Sequence, residues 1–156
     1  ALDKTTARPL TRDERDSLLK LNVSAIKSST PLPGHVTLYE GMPVILRMRN
    51  LSTDLGITNG AQGIVRKIWT AVCPSGFTYA SCVLVHFPES KVQLSHLPVG
   101  HYPIVPSMWK FTMTLGAIPA EQQKLHVTRY QIPIQPAFAV TAHSAQGKTL
   151  PQVLVN

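Results

Sequence analysis

The sequence predicts a mainly β fold, a small and strongly bent barrel preceded by a helix, and three features carry that expectation. Val44, Leu46 and Met48 alternate with Ile45, Arg47 and Arg49, the period-two pattern of a strand with one apolar face. Asn59-Gly60 is a tight-turn signal, because both residue types accept positive φ. Ile64-Val65-Arg66-Lys67-Ile68-Trp69 and Cys82-Val83-Leu84-Val85-His86-Phe87 flank Pro74-Ser75-Gly76 as the arms of a hairpin. Short strands joined by Gly-rich turns suit a small barrel better than a helical domain.

In chain order, Thr11-Arg12-Asp13-Glu14 reads as a capping box, with Thr11 at the helix start and Glu14 reaching back. Leu18, Leu19 and Leu21 add an apolar stripe, so a helix is expected over 11–22. Thr30-Pro31-Leu32-Pro33-Gly34 closes that region, since two prolines and a glycine suit neither helix nor central strand. With Ser75 and Gly76 at the hairpin tip, Cys73 falls opposite Thr78 and Cys82 opposite Trp69. The two thiols then do not face each other, which disfavours a disulfide. Their spacing to His86 and His96 is poor for zinc, leaving two ordinary reduced cysteines. From Ser90 to Glu121 the chain reads as irregular around Pro98, Pro103, Pro106 and Pro119, apart from one short strand in which Trp109, Phe111 and Met113 alternate. Ile134 to Val140 is nearly all apolar despite Pro136 and is expected as a buried strand. Val153-Leu154-Val155 begins another.

A composition of 44% hydrophobic and 15% charged residues allows a packed core and argues against wholesale disorder. No apolar run approaches the ~20 residues that span a bilayer, so no membrane is expected as a partner. No basic start followed by an apolar stretch marks a secretory leader. Alanine at position 1 is expected of a processed or excised chain.

The net charge is +7 and unevenly spread. Residues 1–40 carry six basic and five acidic side chains, residues 41–130 eight and three, and Lys148 is the only charge in the last 26. A surplus in the middle suits a surface for a polyanion, and equally a solvated basic face. Arg47, Arg49, Arg66 and Lys67 are the candidates to line such a surface; the competing reading is an exposed strand face whose stems cover apolar neighbours. Asn59, Gly60 and Gly63 read as turn formers rather than contacts. Trp69, Phe77, Tyr79 and Trp109 offer faces on which bases could stack, but core or hairpin packing is the expected fate of most of them.

The most informative stretch runs from Ala137 to Leu150, where an apolar strand meets a cluster of small polar groups. Thr141 and Ser144 can donate to phosphate oxygens, His143 can donate or stack on a base, and Gln146 can bridge backbone and side-chain groups. Such groups at a strand end stand where ligands bind in open α/β sheets. Ala142 with Gly147-Lys148-Thr149 formally matches a relaxed phosphate-binding loop. That loop needs a helix directly after the Lys-Thr pair, and Pro151 stands among the seven residues that follow. The phosphate-loop reading is therefore set aside.

The same segment resembles the fifth conserved motif of superfamily 1B helicases, notably the petite-integration-frequency (PIF) family and the Helitron-type helicases of fungi. The family pattern, a strand with alanines and an aromatic followed by Thr-x-His-x-x-Gln-Gly-x-Thr, is met by Ala137, Phe138, Ala139, Thr141, His143, Gln146, Gly147 and Thr149. Arg129-Tyr130-Gln131-Ile132-Pro133-Ile134 looks like the lead-in of the fungal members. A second block, from Leu38 to Leu51 and then Asn59-Gly60-Ala61-Gln62-Gly63-Ile64-Val65, resembles the start of that family's Src-homology-3-like insertion barrel. Two positions depart: relatives carry Lys where Ser144 stands and a neutral residue where Lys148 stands.

The resemblance implies an Src-homology-3-like barrel with flanking strands and a helix from an incomplete RecA-like α/β motor domain. Residues 1–40 would be the helix and linker of the second RecA-like domain, 41–128 the insertion barrel with an irregular extension, and 129–156 the motor strand and motif. Thr141, His143, Ser144 and Gln146 would face DNA, while Gly147, Lys148 and Thr149 would border the nucleotide cleft. The implied partners are single-stranded DNA and the missing motor segments, and the implied compartment is the nucleus. ATP and Mg2+ are implied for a complete helicase, but no cofactor for this chain alone. A convincing Walker A, an acidic Walker B strand and an Ala-Leu-Ser-Arg-type motif do not occur in it, so hydrolysis is not expected without the rest of the motor. The alternative is a free-standing barrel that mediates protein or RNA contacts as a helicase relic.

Overall fold

The computed structural model describes residues 2–3, 11–20, 35–47, 51–73, 76–115 and 123–139. The capping box forms as the sequence predicts. Helix α1 spans Arg12–Leu19, the Glu14 amide donates to Thr11 Oγ1 at 3.3 Å, and the Thr11 amide donates to the Glu14 carboxylate at 2.7 Å. Residues 21 and 22, the expected end of the helix, lie outside the described residues.

The rest is β structure, with β1 at Leu2–Asp3, β2 at Pro43–Leu46, β3 at Gln62–Val72 and β4 at Thr78–His86. Then follow β5 at His101–Ile104, β6 at Ser107–Leu115, β7 at Gln123–Gln131 and β8 at Ile134–Pro136. A five-stranded sheet has the order β5-β4-β3-β2-β8, and a three-stranded sheet the order β1-β7-β6. Every pairing between strands is antiparallel. The mainly β expectation holds; among the described residues the larger sheet is open, with β5 and β8 at its edges.

The core lies on one face of that sheet. Val44, Leu46, Val65, Val83, Val85, Ile104 and Ile134 project into it, and Met42, Ile57, Phe87, Val92 and Ile132 close it from the connections. Ser90, buried among them, donates through Oγ to the Leu55 carbonyl and accepts from the Val92 amide, tying the loop after β2 to the loop after β4. Its hydroxyl meets the rule that a buried polar group keeps its hydrogen bonds.

Three details correct the sequence reading. The described prolines of this stretch punctuate strands rather than abolish them: Pro103 sits in edge strand β5, where the missing N–H costs nothing, and Pro106 separates β5 from β6, while Pro119 lies outside the described residues. Gly63 is not a turn former but a buried position inside β3. The expected strand from Ile134 to Val140 is short, ending at Pro136 on the sheet edge, and Phe138 and Ala139 are already exposed.

The smaller sheet is a long hairpin in which Trp109 pairs with Arg129 and Phe111 with Val127. These four share a face, on which Val127 is buried and the Arg129 guanidinium lies 5.3 Å from the Phe111 ring centroid. Burial pushes the Arg129 pKa below its ordinary value. Met108 and Tyr130 pair on the opposite, exposed face.

Candidate nucleic-acid interface

The register of the β3–β4 hairpin builds the site. Ile64 pairs with His86 and Val65 with Val85; then Lys67 pairs with Leu84, Ile68 with Val83 and Trp69 with Cys82; then Thr70 pairs with Ala80 and Ala71 with Tyr79. Arg66 on β3 and Ser81 on β4 therefore have no opposite residue, and each marks a β-bulge. The expected pairing of Cys82 with Trp69 is right. The expected pairing of Cys73 with Thr78 is off by one, because the Ser81 bulge shifts the tip: Val72 pairs with Thr78, and the Cys73 amide donates to the Phe77 carbonyl at 2.9 Å. Cys73 and Cys82 are both half-buried thiols, and burial pushes the Cys82 pKa up.

Ile68, Val83 and Ala80 face the core, so Lys67, Trp69 and Tyr79 occupy the outer face. In a regular strand Arg66 would point the other way from Lys67. The bulge brings both to the outer face. Arg66 Nη2 lies 3.3 Å from His86 Nδ1, and Lys67 Nζ lies 5.3 Å from the Trp69 ring centroid, within cation–π reach. Beyond the core the hairpin carries exposed aromatics: Trp69 is 43% exposed, Tyr79 47% and Phe77 56%. Packing, the fate expected for most of these rings, holds for half-buried Trp109 but not for the other three.

At the β4–β5 end His86 pairs with His101, and their rings stack with centroids 4.6 Å apart and planes 19° from parallel. Arg66 can only donate, so His86 Nδ1 accepts and the neutral ring carries its proton on Nε2. Burial, then the charges of His101 and Arg66, hold the His86 pKa below its ordinary value. The unfolded chain consequently takes up this proton first as pH falls. Stability is expected to drop as pH falls through the ordinary histidine range, and His86→Gln should remove that part of the loss. Melting temperatures at pH 7.5 and 5.5 check it; an unchanged pH response in the variant would contradict the assignment.

Arg47 is half-buried at the end of β2, with its Nε donating to Gln135 Oε1 at 2.9 Å. It is held to β8 rather than presented with Arg66 and Lys67. At the other end of β2, where the Ala137 amide donates to the Pro43 carbonyl, Tyr39 and Phe138 stack with centroids 6.3 Å apart, both largely exposed. Arg49, Thr141, His143, Ser144, Gln146, Gly147, Lys148 and Thr149 lie outside the described residues. Sequence reasoning missed His86 and His101, which no local motif marks.

Among the described residues, no group of three or more His, Cys, Asp or Glu side chains could hold a metal ion. No described helix is long and apolar enough to cross a membrane. No protein-family model matches the chain, and no curated protein matches it.

Proposed function

We propose that this chain holds single-stranded DNA on the outer face of its five-stranded sheet, as the strand-guiding barrel of a superfamily 1B helicase of the PIF or fungal Helitron-like type. One observation carries the reading: the Arg66 bulge sets two adjacent cations on one face beside the exposed rings of Trp69 and Tyr79. Cations that track phosphates and rings that accept any base are the two parts of a sequence-tolerant single-strand surface. The strand order also supports it, because β2 to β5 form a meander and β8 returns beside β2, as in an Src-homology-3-like barrel. In this reading the segment after β8 belongs to the second RecA-like domain, and Thr141, His143, Ser144 and Gln146 contact the same strand.

ATP and Mg2+ belong to the complete motor. The described residues offer no helix N-terminus or glycine-rich loop that fits the triphosphate of ATP. The described helix, α1, has its N-terminus filled by the Glu14 carboxylate, and Gly41, Gly60, Gly76 and Gly100 turn the chain into or between strands. No step of hydrolysis is assigned to this chain.

Fluorescence anisotropy of labelled oligothymidine over a range of salt concentrations tests the proposal. Binding should weaken log-linearly with salt, and the Arg66→Gln/Lys67→Gln pair should flatten the slope by about 1.4, or about 0.7 for each phosphate no longer neutralised. Absence of binding at low salt would sink the reading. A clear preference for oligouridine would favour a relic barrel that binds RNA.

A further inference from the structure

We propose that Arg66, His86 and His101 form a site for one phosphate group of the bound strand, at which binding takes up a proton. The site rests on the reading of the outer face as a surface for single-stranded DNA, and it adds a position and a chemistry that the basic and aromatic residues of the hairpin do not supply.

Three adjacent strands deliver the groups: Arg66 from β3, His86 from β4 and His101 from β5. With Nδ1 engaged by Arg66, His86 presents Nε2–H as a donor. His101 Nδ1 lies 3.1 Å from the Val99 carbonyl, which can only accept, so the neutral ring carries its proton there. His101 Nε2 then holds a lone pair. Gly100 packs closely against the base of the site: a Cβ there would stand 2.8 Å from the Phe87 carbonyl oxygen, 3.1 Å from His86 Cδ2 and 3.3 Å from Nε2, and its φ of +76° favours glycine on its own account.

The charges that act on His86 are His101 and Arg66, both of the sign that opposes protonation. In the free chain a further proton therefore sets cation against cation. A phosphate oxyanion reverses that balance, since it accepts from the guanidinium and from the protonated His86 ring. Uptake of a proton and binding of a phosphate thus favour each other. The two half-buried stacked rings give the site a fixed geometry that a mobile surface lysine lacks.

The test uses the full chain. Oligothymidine affinity is measured by anisotropy at fixed ionic strength between pH 8 and pH 5.5, for the wild type, His86→Gln and His101→Gln, with melting curves confirming that each is folded. Wild-type binding should tighten by about tenfold from pH 7.5 to pH 6, and both variants should flatten that dependence. Imidazole resonances of His86 should also titrate at higher pH in the presence of oligothymidine. An equal pH dependence in all three proteins would overturn the site and leave strand binding standing. If oligothymidine fails to bind at any pH, the strand reading falls, and inorganic phosphate at pH 6 decides the site alone. Shifts of the His86 and His101 ring signals would retain it, and unmoved rings would overturn it.

Discussion

Gly63→Ala lowers the stability of the five-stranded sheet by about 1–3 kcal/mol, the usual cost of forcing extra volume into a packed interior. The reason is space. A Cβ on Gly63 would stand 2.5 Å from Val85 Cγ1, 2.8 Å from the His86 carbonyl oxygen and 3.0 Å from Phe87 Cδ1. The valine can shift, but the carbonyl is strand backbone, so β3 must move away from β4. For a chain of this size the melting temperature should fall by roughly 3–10 °C. Gly76→Asn makes the contrast. That glycine has φ +81° and nothing within 4 Å of an added Cβ, and asparagine tolerates the left-handed conformation, so stability should hardly change. Thermal denaturation of both variants checks the pair; equal melting temperatures for wild type and Gly63→Ala would refute the close approach. The position matters beyond stability. Gly63 precedes the Arg66 bulge by three residues on the same strand, so a displaced β3 also displaces the cations of the outer face.

What the sequence disclosed was what local chemistry controls. The capping box at Thr11 and Glu14 needs only neighbouring residues, and it forms. The central hairpin pairing of Trp69 with Cys82 follows from turn position, and it too is right. The same count fails on either side, because the bulges at Arg66 and Ser81 shift the register by one residue each and no local motif announced them. Strand β7 went unseen for a different reason. Its residues alternate, with Lys124 and His126 exposed and Val127 buried, but Arg129 takes a place on the covered face beside Phe111 and breaks the apolar pattern. The exposed aromatics escaped because a hairpin that outruns its core reads no differently from one that ends with it. His86 and His101 escaped because their stacking depends on which residue of β5 falls opposite β4, a long-range matter of register. The candidate site was thus half legible: Arg66 and Lys67 were candidates from charge alone, and the structure supplied the bulge that sets them on one face.

Trp69→Ala should weaken oligothymidine binding by about five- to 150-fold, the effect of losing one base–aromatic stack worth ~1–3 kcal/mol. Trp69 stands on the outer face with Lys67 over its ring, so it offers a base one flank already polarised by a cation. Removing the ring leaves both cations in place. The salt dependence should therefore stay as steep as in the wild type, whereas the Arg66→Gln/Lys67→Gln pair reduces the slope itself. That split separates stacking from phosphate binding within one experiment. The chain contains two tryptophans, and Trp109 lies half-buried in the other sheet. Quenching of intrinsic fluorescence on binding should accordingly persist in Trp109→Phe and vanish in Trp69→Phe, whose smaller ring still stacks. Folding is not in question for the two Trp69 variants, because Trp69 faces away from Ile68, Val83 and the core they border. Were Trp69→Ala to bind as tightly as the wild type, the hairpin face would not be where bases lie. The strand would then have to run past the Tyr39–Phe138 pair and the segment beyond β8, with Arg66 and Lys67 reduced to a solvated edge.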